Sequence, residues 1–378
     1  MIPFNRPYLT GLEFVRMAEA HSAGQLAGDG RFTKHCEVLI AGLTRSPRAF
    51  LTHSCTAALE MAALLADIGP GDEVIMPSYT FTSTANAFVL RGGVPVFVDI
   101  RPDTLNIDET LIESAITSRT RAIVVVHYAG VACDMGAIAL IAQSHGLLLI
   151  EDAAQALMSS FESRPLGSIG QLGCLSFHET KNIICGEGGA LLVNEQRFVE
   201  RAEMLRDKGT NRSRFVRGEV DKYTWYDIGS SYGPGELVAA FLAPQLEAAQ
   251  RITQQRLDLW LAYHEAFARF ERAGRLRRPV IPPWAIHNAH MYYVLLPRAI
   301  DRAVVIQRMR ERGASPVFHY VPLHSSVAGR RFGRAHGELS VTDDLSARLL
   351  RMPLWIGVDV AAVADIFAAA LSEAERGS

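Results

Sequence analysis

Lys181 is the residue of this sequence best placed for chemistry. The chain holds four lysines against thirty-four arginines. Lys34 follows GDGRFT near the N-terminus, while Lys208 lies in RDKGTNRSR and Lys222 in EVDKYTW, both polar and loop-like settings. Lys181 comes directly off an apolar run, Gly173 to Phe177, and leads into the glycine-rich Gly186-Glu187-Gly188-Gly189. A lysine in such a place is either desolvated for covalent chemistry or paired with a phosphate or carboxylate. The plain alternative is a solvated loop lysine, the state of most lysines. Its complement is Asp152, which with Glu151 closes the apolar run Leu147 to Ile150. Short apolar runs bounded by turn signals read as buried strands, and a charge at the C-terminal end reads as a site residue. A buried carboxylate needs a cationic partner or it neutralises. The protonated ring nitrogen of a cofactor is one such partner.

A strand ending in aspartate, followed by a strand ending in lysine, is the pattern of pyridoxal-phosphate enzymes with the aspartate-aminotransferase fold. EDAAQ, SFHETKN and GEGGA strengthen it, together with MIPFNRPYL, PGDEVIMPSYTFTSTANA, VHYAG and FHYVPLH. Taken end to end, the chain resembles the sugar aminotransferases of the DegT/DnrJ/StrS family, nearest to the TDP-4-keto-6-deoxyglucose 4-aminotransferases. The resemblance implies pyridoxal 5'-phosphate held covalently by Lys181, with Asp152 at its ring nitrogen and these two as the catalytic residues. It further implies Thr56 and Ala57 in the phosphate cup, Ser176 reaching the same phosphate, Phe81 over the ring, and Gln155 beside the ring oxygen. His319 and Tyr320, in FHYVPLH, fall where the family lies near the nucleotide-sugar. L-glutamate is the implied amino donor, and a homodimer with composite active sites the implied assembly. Where the wider family has a stretch like GYNYRM, whose asparagine reaches the partner's cofactor phosphate, this chain has Gly229-Ser230-Ser231-Tyr232-Gly233-Pro234. Ser231 then stands in the asparagine's place. Sugar dehydratases of similar sequence carry histidine instead of the lysine, and Lys181 argues against that activity. A non-catalytic sensor or sugar-nucleotide-binding regulator of the same fold is the alternative from another class.

Strands alternate with helices over about residues 45–195, which predicts a mainly parallel sheet covered on both faces, with a site at the strand C-termini. The family's fold is type I, with a seven-stranded-type sheet and a smaller C-terminal α+β domain. The expected division is 1–245 for the cofactor-binding part with its N-terminal arm, and 246–378 for a linker helix and the small domain. A helix is predicted from about Gly11 to Ala23, one long helix from Gly235 to Arg272, and a C-terminal helix over 359–375. The turn Thr52 to Thr56 opens a helix with Ser54 or Thr56 as N-cap, and a strand–turn–helix N-terminus is a ready phosphate site. His127 reads as a satisfied core histidine and Gly28-Asp29-Gly30 as a turn.

The formal net charge of −2 gives no reason to expect nucleic acid or an anionic membrane as partner. The five cysteines lack CxxC spacing and read as reduced core residues of a cytoplasmic protein. No metal site, signal peptide or membrane-spanning run is expected.

Overall fold

The computed structural model describes residues 1–377. Its centre is a sheet of eight strands: β1 (Arg48–Thr52), β2 (Glu73–Pro77), β3 (Val94–Val98), β4 (Thr120–Val126), β5 (Leu148–Asp152), β8 (Leu172–Ser176), β9 (Gly189–Val193) and β12 (Arg334–Ala335). They lie in the order β1-β9-β8-β5-β4-β2-β3-β12. Every pairing from β8 to β12 is parallel, whereas β9 runs antiparallel to both β8 and β1. The chain direction of β1 is therefore that of β8, and all the parallel strands end on one edge.

Parallel strands must be apolar on both sides, because helices cover both faces. The strand β4 shows this directly. Ala122 and Val124 enter one core with the helix Cys55–Leu65, while Ile123 and Val125 enter another with Ile138 and Ile112. The face carrying Leu51, Leu175 and Ala190 packs against Phe32, Ile40 and Ala239 from the helices Arg31–Thr44 and Glu236–Glu247. Short strands β6 (Ser160–Phe161), β7 (Arg164–Pro165) and β10 (Ala285–Ile286) form a separate ribbon, ordered β10-β6-β7.

The C-terminal part has its own core. The strands β11 (Tyr292–Leu295) and β13 (Leu349–Met352) pair antiparallel. Tyr292, Val294, Leu350 and Met352 pack with Trp260, Tyr263, Phe267 and Phe367 from the helices Ala249–Arg272 and Val360–Gly377. This part nevertheless reaches back to the large sheet, since β12 is its eighth, edge strand. Arg334 of β12 also donates to the Glu73 carboxylate, which Arg119 and the Thr117 hydroxyl share.

One predicted element differs. The single helix of Gly235 to Arg272 is two, Glu236–Glu247 and Ala249–Arg272, joined at Ala248. Pro244 sits within the first and has no N–H to donate to the turn before it. Among the described residues no helix is long and apolar enough to cross a membrane.

Candidate active site

The ends of β1, β2, β4, β5 and β8 gather the site. Asp152 is the last residue of β5 and is buried. It accepts from the Thr84 hydroxyl at 2.7 Å and the Ala154 amide at 3.2 Å. Both donors are neutral. Burial pushes its carboxyl above the ordinary range, against the lowering by Thr84, Ala154 and Lys181. The preceding residue, Glu151, points to the other side of the sheet and is fully satisfied. It accepts from the amides of Gly167, Ile169 and Gly170 at 2.6–2.7 Å and pairs with His127 at 2.9 Å. The Cys133 amide donates to Nδ1 of His127, so the ring proton sits on Nε2 and points at Glu151. His127 is therefore structural, as the sequence suggested.

Lys181 follows β8 through a tight turn in which its amide bonds the His178 carbonyl at 2.8 Å. Phe177 and Glu179 donate to the carbonyls of Gly188 and Gly186, which ties the turn to the glycine run. Gly186 takes φ +82°, a conformation that favours glycine. Next door, Asn182 donates to the Asn288 carbonyl and meets His290. The Lys181 side chain is half-buried, and loss of water pushes its ammonium below the ordinary lysine range, opposed by Cys55 and Asp152. A desolvated amine facing a desolvated carboxylate is the environment a carbon-directed nucleophile and base requires.

The turn after β1 opens the helix Cys55–Leu65, and of the two predicted caps Ser54 is the one used. Its hydroxyl accepts from Ala57 N–H at 3.1 Å. The first-turn amides of Cys55 and Thr56 are left at the positive end of the dipole. Thr56 and Ser83 share a hydroxyl contact at 2.8 Å beside them. Gly189 of β9 lies so close that a Cβ there would meet the Cys55 nitrogen at 2.4 Å. Ser176 ends β8 and accepts weakly from the His178 amide at 3.4 Å.

Gln155 is buried. Its Oε1 accepts from Ala129 N–H at 2.7 Å and its Nε2 donates to the Tyr320 hydroxyl at 3.1 Å. Tyr320 stacks on His319 with centroids 4.0 Å apart, and packs on Tyr79 and Tyr128. Burial pushes its phenol up to about 12. Phe81 is 58% exposed, 6.3 Å from the Tyr320 ring, so it lines the rim of the site and is not core. Lys181, Asp152, Gln155, Phe81, His319 and Tyr320 thus converge, with Thr56 and Ala57 in the first turn of the adjoining helix and Ser176 at the end of β8.

Ser231 stands apart. It is exposed, bridges Asp207 through its backbone, and lines a cavity of about 440 Å³ with Gly28, Arg206, Lys208 and Arg212. No contact among the described residues joins it to the Lys181 cluster within one chain. Sequence reasoning missed Thr84, Ser83 and Arg351. Thr84 and Ser83 are ordinary helix-start residues by type. Arg351 carried a signal, a lone charge inside the apolar LLRMPLW.

The residues fit pyridoxal phosphate. The buried carboxylate of Asp152 has neutral donors and wants a cation, the helix start and hydroxyls suit a phosphate, and Lys181 is desolvated between them. A match to the DegT/DnrJ/EryC1/StrS aminotransferase family spans residues 8–371. The chain is 31% identical over 379 residues to the spore coat polysaccharide biosynthesis protein SpsC of Bacillus subtilis, covering 97% of this chain and 96% of that one. It superposes on DesV of S. venezuelae, solved in complex with a ketimine intermediate, at a TM-score of 0.86, with 29% identity and 97% and 95% of the two chains covered. Spr1654 of Streptococcus pneumoniae, in its PLP form, gives a TM-score of 0.90 at 25% identity, covering 99% of each chain. The fold is that of the type I pyridoxal-phosphate enzymes, and with the match running nearly end to end the chain belongs to the DegT/DnrJ/EryC1/StrS aminotransferase family, the pyridoxal-phosphate-dependent sugar aminotransferases.

Proposed function

We propose that the protein transfers an amino group from L-glutamate to a nucleotide-linked keto sugar, TDP-4-keto-6-deoxyglucose, giving a TDP-4-amino-4,6-dideoxyhexose. The observation that carries the reading is the pair at the strand ends: Lys181, desolvated and anchored by its turn, and Asp152, buried without a cation of its own. The choice of sugar is supported by the resemblance of the sequence to 4-aminotransferases of that substrate.

In this reading Lys181, Asp152, Gln155, Phe81, Thr56, Ala57 and Ser176 hold pyridoxal phosphate, which supplies an electron sink for breaking the donor's C–H bond. Asp152 would keep its charge with a protonated ring nitrogen as its counterion. Thr84 fixes the orientation of that carboxylate. Thr56 and Ser176 offer hydroxyls to the phosphate, beside the amides of the helix start. Gln155, clamped between Ala129 and Tyr320, sets the lateral position of the ring. Lys181, the amine that would hold the cofactor, would move the proton at the reacting carbon of the donor and of the sugar, a task its lowered basicity suits. His319 and Tyr320 face the sugar.

The second half of each site comes from a partner subunit in this proposal. Ser231 lies away from Lys181 in its own chain, in a loop that exposes Tyr223, Trp225 and Tyr226. An isologous dimer would carry that loop to the neighbour's phosphate twice. The five cysteines are unpaired thiols, which suits a reducing cytoplasm.

Incubation with TDP-4-keto-6-deoxyglucose and L-glutamate, with the product identified by mass and NMR, tests the reading. A new amine at C4 is the expected outcome. A cofactor absorbance that glutamate bleaches, followed by no sugar product, would retain the aminotransferase and reject this sugar. An absorbance that glutamate leaves unchanged would favour a sugar-nucleotide-binding regulator.

A further inference from the structure

Arg351 is the charge within β13, and it is only 8% exposed. A buried ion is a liability for stability unless something answers it. Among the described residues no carboxylate forms an ion pair with it, and its Nε has no hydrogen-bond partner. Arg256 shows the ordinary solution at a similar depth: its Nε and Nη2 donate to the carbonyls of Ala289 and His290. Arg351 has rings around it instead. Its guanidinium lies over the Phe4 ring, 4.7 Å from the centroid, and Nη1 lies against the face of the His319 ring, close to both ring nitrogens. A ring face attracts a cation but leaves its N–H donors without acceptors.

Both rings lead to the catalytic pair. Asn5, next to Phe4, donates to the Glu179 carbonyl in the Lys181 turn at 3.2 Å. His319 stacks on Tyr320, whose hydroxyl accepts from Gln155 in the segment that follows Asp152. Mutual backbone hydrogen bonds with Val317 hold Arg351 in place. The unanswered charge is thus carried by a strand, beside the cluster to which Lys181 and Asp152 belong.

The reaction limits what could answer it. A planar guanidinium matches a carboxylate in a two-pronged pair. An α-amino acid carries a carboxylate on the very carbon that loses its proton, so that group must lie near Lys181. The second carboxylate of glutamate sits at the far end of its side chain. The diphosphate of a nucleotide-linked sugar lies across the hexose ring from C4, so the sugar brings no anion to the reacting carbon.

We propose that Arg351 binds the α-carboxylate of the amino donor and so sets the donor's Cα against Lys181. The proposal rests on the reading above in which L-glutamate donates its amino group at this site. It gives the buried cation a counterion that arrives with the substrate.

The test runs on the holoenzyme, where bleaching of the cofactor absorbance follows the donor half-reaction alone. L-glutamate is compared with L-isoglutamine, its α-amide, and with L-glutamine, its side-chain amide. Wild type should react with isoglutamine about a hundredfold more slowly than with glutamate at low donor concentration, the worth of a two-pronged charged pair. In Arg351→Met that preference should collapse towards one. Arg351→Lys, which keeps the charge but not the fork, should fall between. 2-Methyl-L-glutamate has no Cα hydrogen to lose and gives a readout free of turnover. Its Kd, from the spectral change on binding, should rise about a hundredfold in Arg351→Met. The half-reaction with TDP-4-keto-6-deoxyglucose should suffer far less. Equal use of glutamate and isoglutamine by wild type would overturn the proposal with no variant needed. So would a preference retained in folded Arg351→Met, or a loss of discrimination against glutamine alone, which would put the side-chain carboxylate there. If a different α-amino acid is the donor, the same comparison with its α-amide decides. Failure to turn over this sugar would strike the functional reading alone, because the donor half-reaction still decides the role of Arg351.

Discussion

Glu151 and Asp152 are neighbours on β5, and successive residues of a strand face opposite ways. On one side, Glu151 has every lone pair answered within the chain, by three amides and a histidine. On the other, Asp152 has a hydroxyl and an amide and no cation close enough to pair. Two carboxylates, at nearly the same depth and one residue apart, are saturated on one face and left expectant on the other. A carboxylate that is buried and complete holds the fold; one that is buried and incomplete marks what must bind. The contrast separates stability from function more sharply than burial alone, which is nearly identical for the two.

The sharpest way to break this contrast is to remove the group opposite Asp152. Lys181→Ala should abolish turnover and leave any bound cofactor unlinked. Borohydride reduction of the wild type followed by peptide mapping should label Lys181; a label on Lys34, Lys208 or Lys222 would refute the assignment. Asp152→Asn comes next. Its half-reaction rates should fall by orders of magnitude, at least a few kcal/mol in the barrier. Stability should move the other way. A carboxyl whose folded pKa is raised loses stability as pH climbs from its unfolded to its folded pKa. At neutral pH, cofactor-free Asp152→Asn should therefore unfold at the same or a higher urea concentration than wild type. Near-normal rates in both half-reactions would end the electron-sink role.

Glu151→Gln should show the reverse profile. The amide can no longer accept from three N–H groups and His127 at once, so a loss of about 2–4 kcal/mol is expected, read as a lower urea midpoint. The catalytic rate of the folded fraction should be nearly unchanged. A Glu151→Gln protein as stable as wild type would dissolve the contrast. The smallest effect belongs to Ser231→Ala, which should weaken cofactor retention by about 1–3 kcal/mol, the range for a hydrogen bond to a charged group, with the fold intact. Mixing Lys181→Ala chains with chains disabled in the Thr224 to Glu236 loop should restore partial activity. No recovery, once subunit exchange is demonstrated and both parents are severely defective, would mean that each site is built from one chain.

The parts of this molecule that a sequence exposes are those with strong local causes. The strands around Asp152 and Lys181 announce themselves because a parallel strand is apolar on both faces and its polar end is abrupt. The Ser54 cap is legible because a helix start needs one. The break at Ala248 was missed because the apolar period continues across it. Thr84 was hidden for a different reason. Its role depends on the turn after β2 arriving beside β5, a meeting of residues 68 positions apart that no local pattern encodes. Arg351 lay in between, since a charge inside LLRM is an anomaly that spacing shows but cannot interpret.

The edge strand β12 has a consequence for how the protein is made. Residues 334–335 extend a sheet whose other strands all lie before residue 194, and Arg334 completes the grip on Glu73. On a ribosome, the bare edge of β3 would wait while some 240 further residues were synthesised, open to any passing strand. The sheet can close only when most of the C-terminal part has emerged. Contacts of such long sequence separation are slow to form, so the last step of assembling the large sheet is tied to the arrival of the small one.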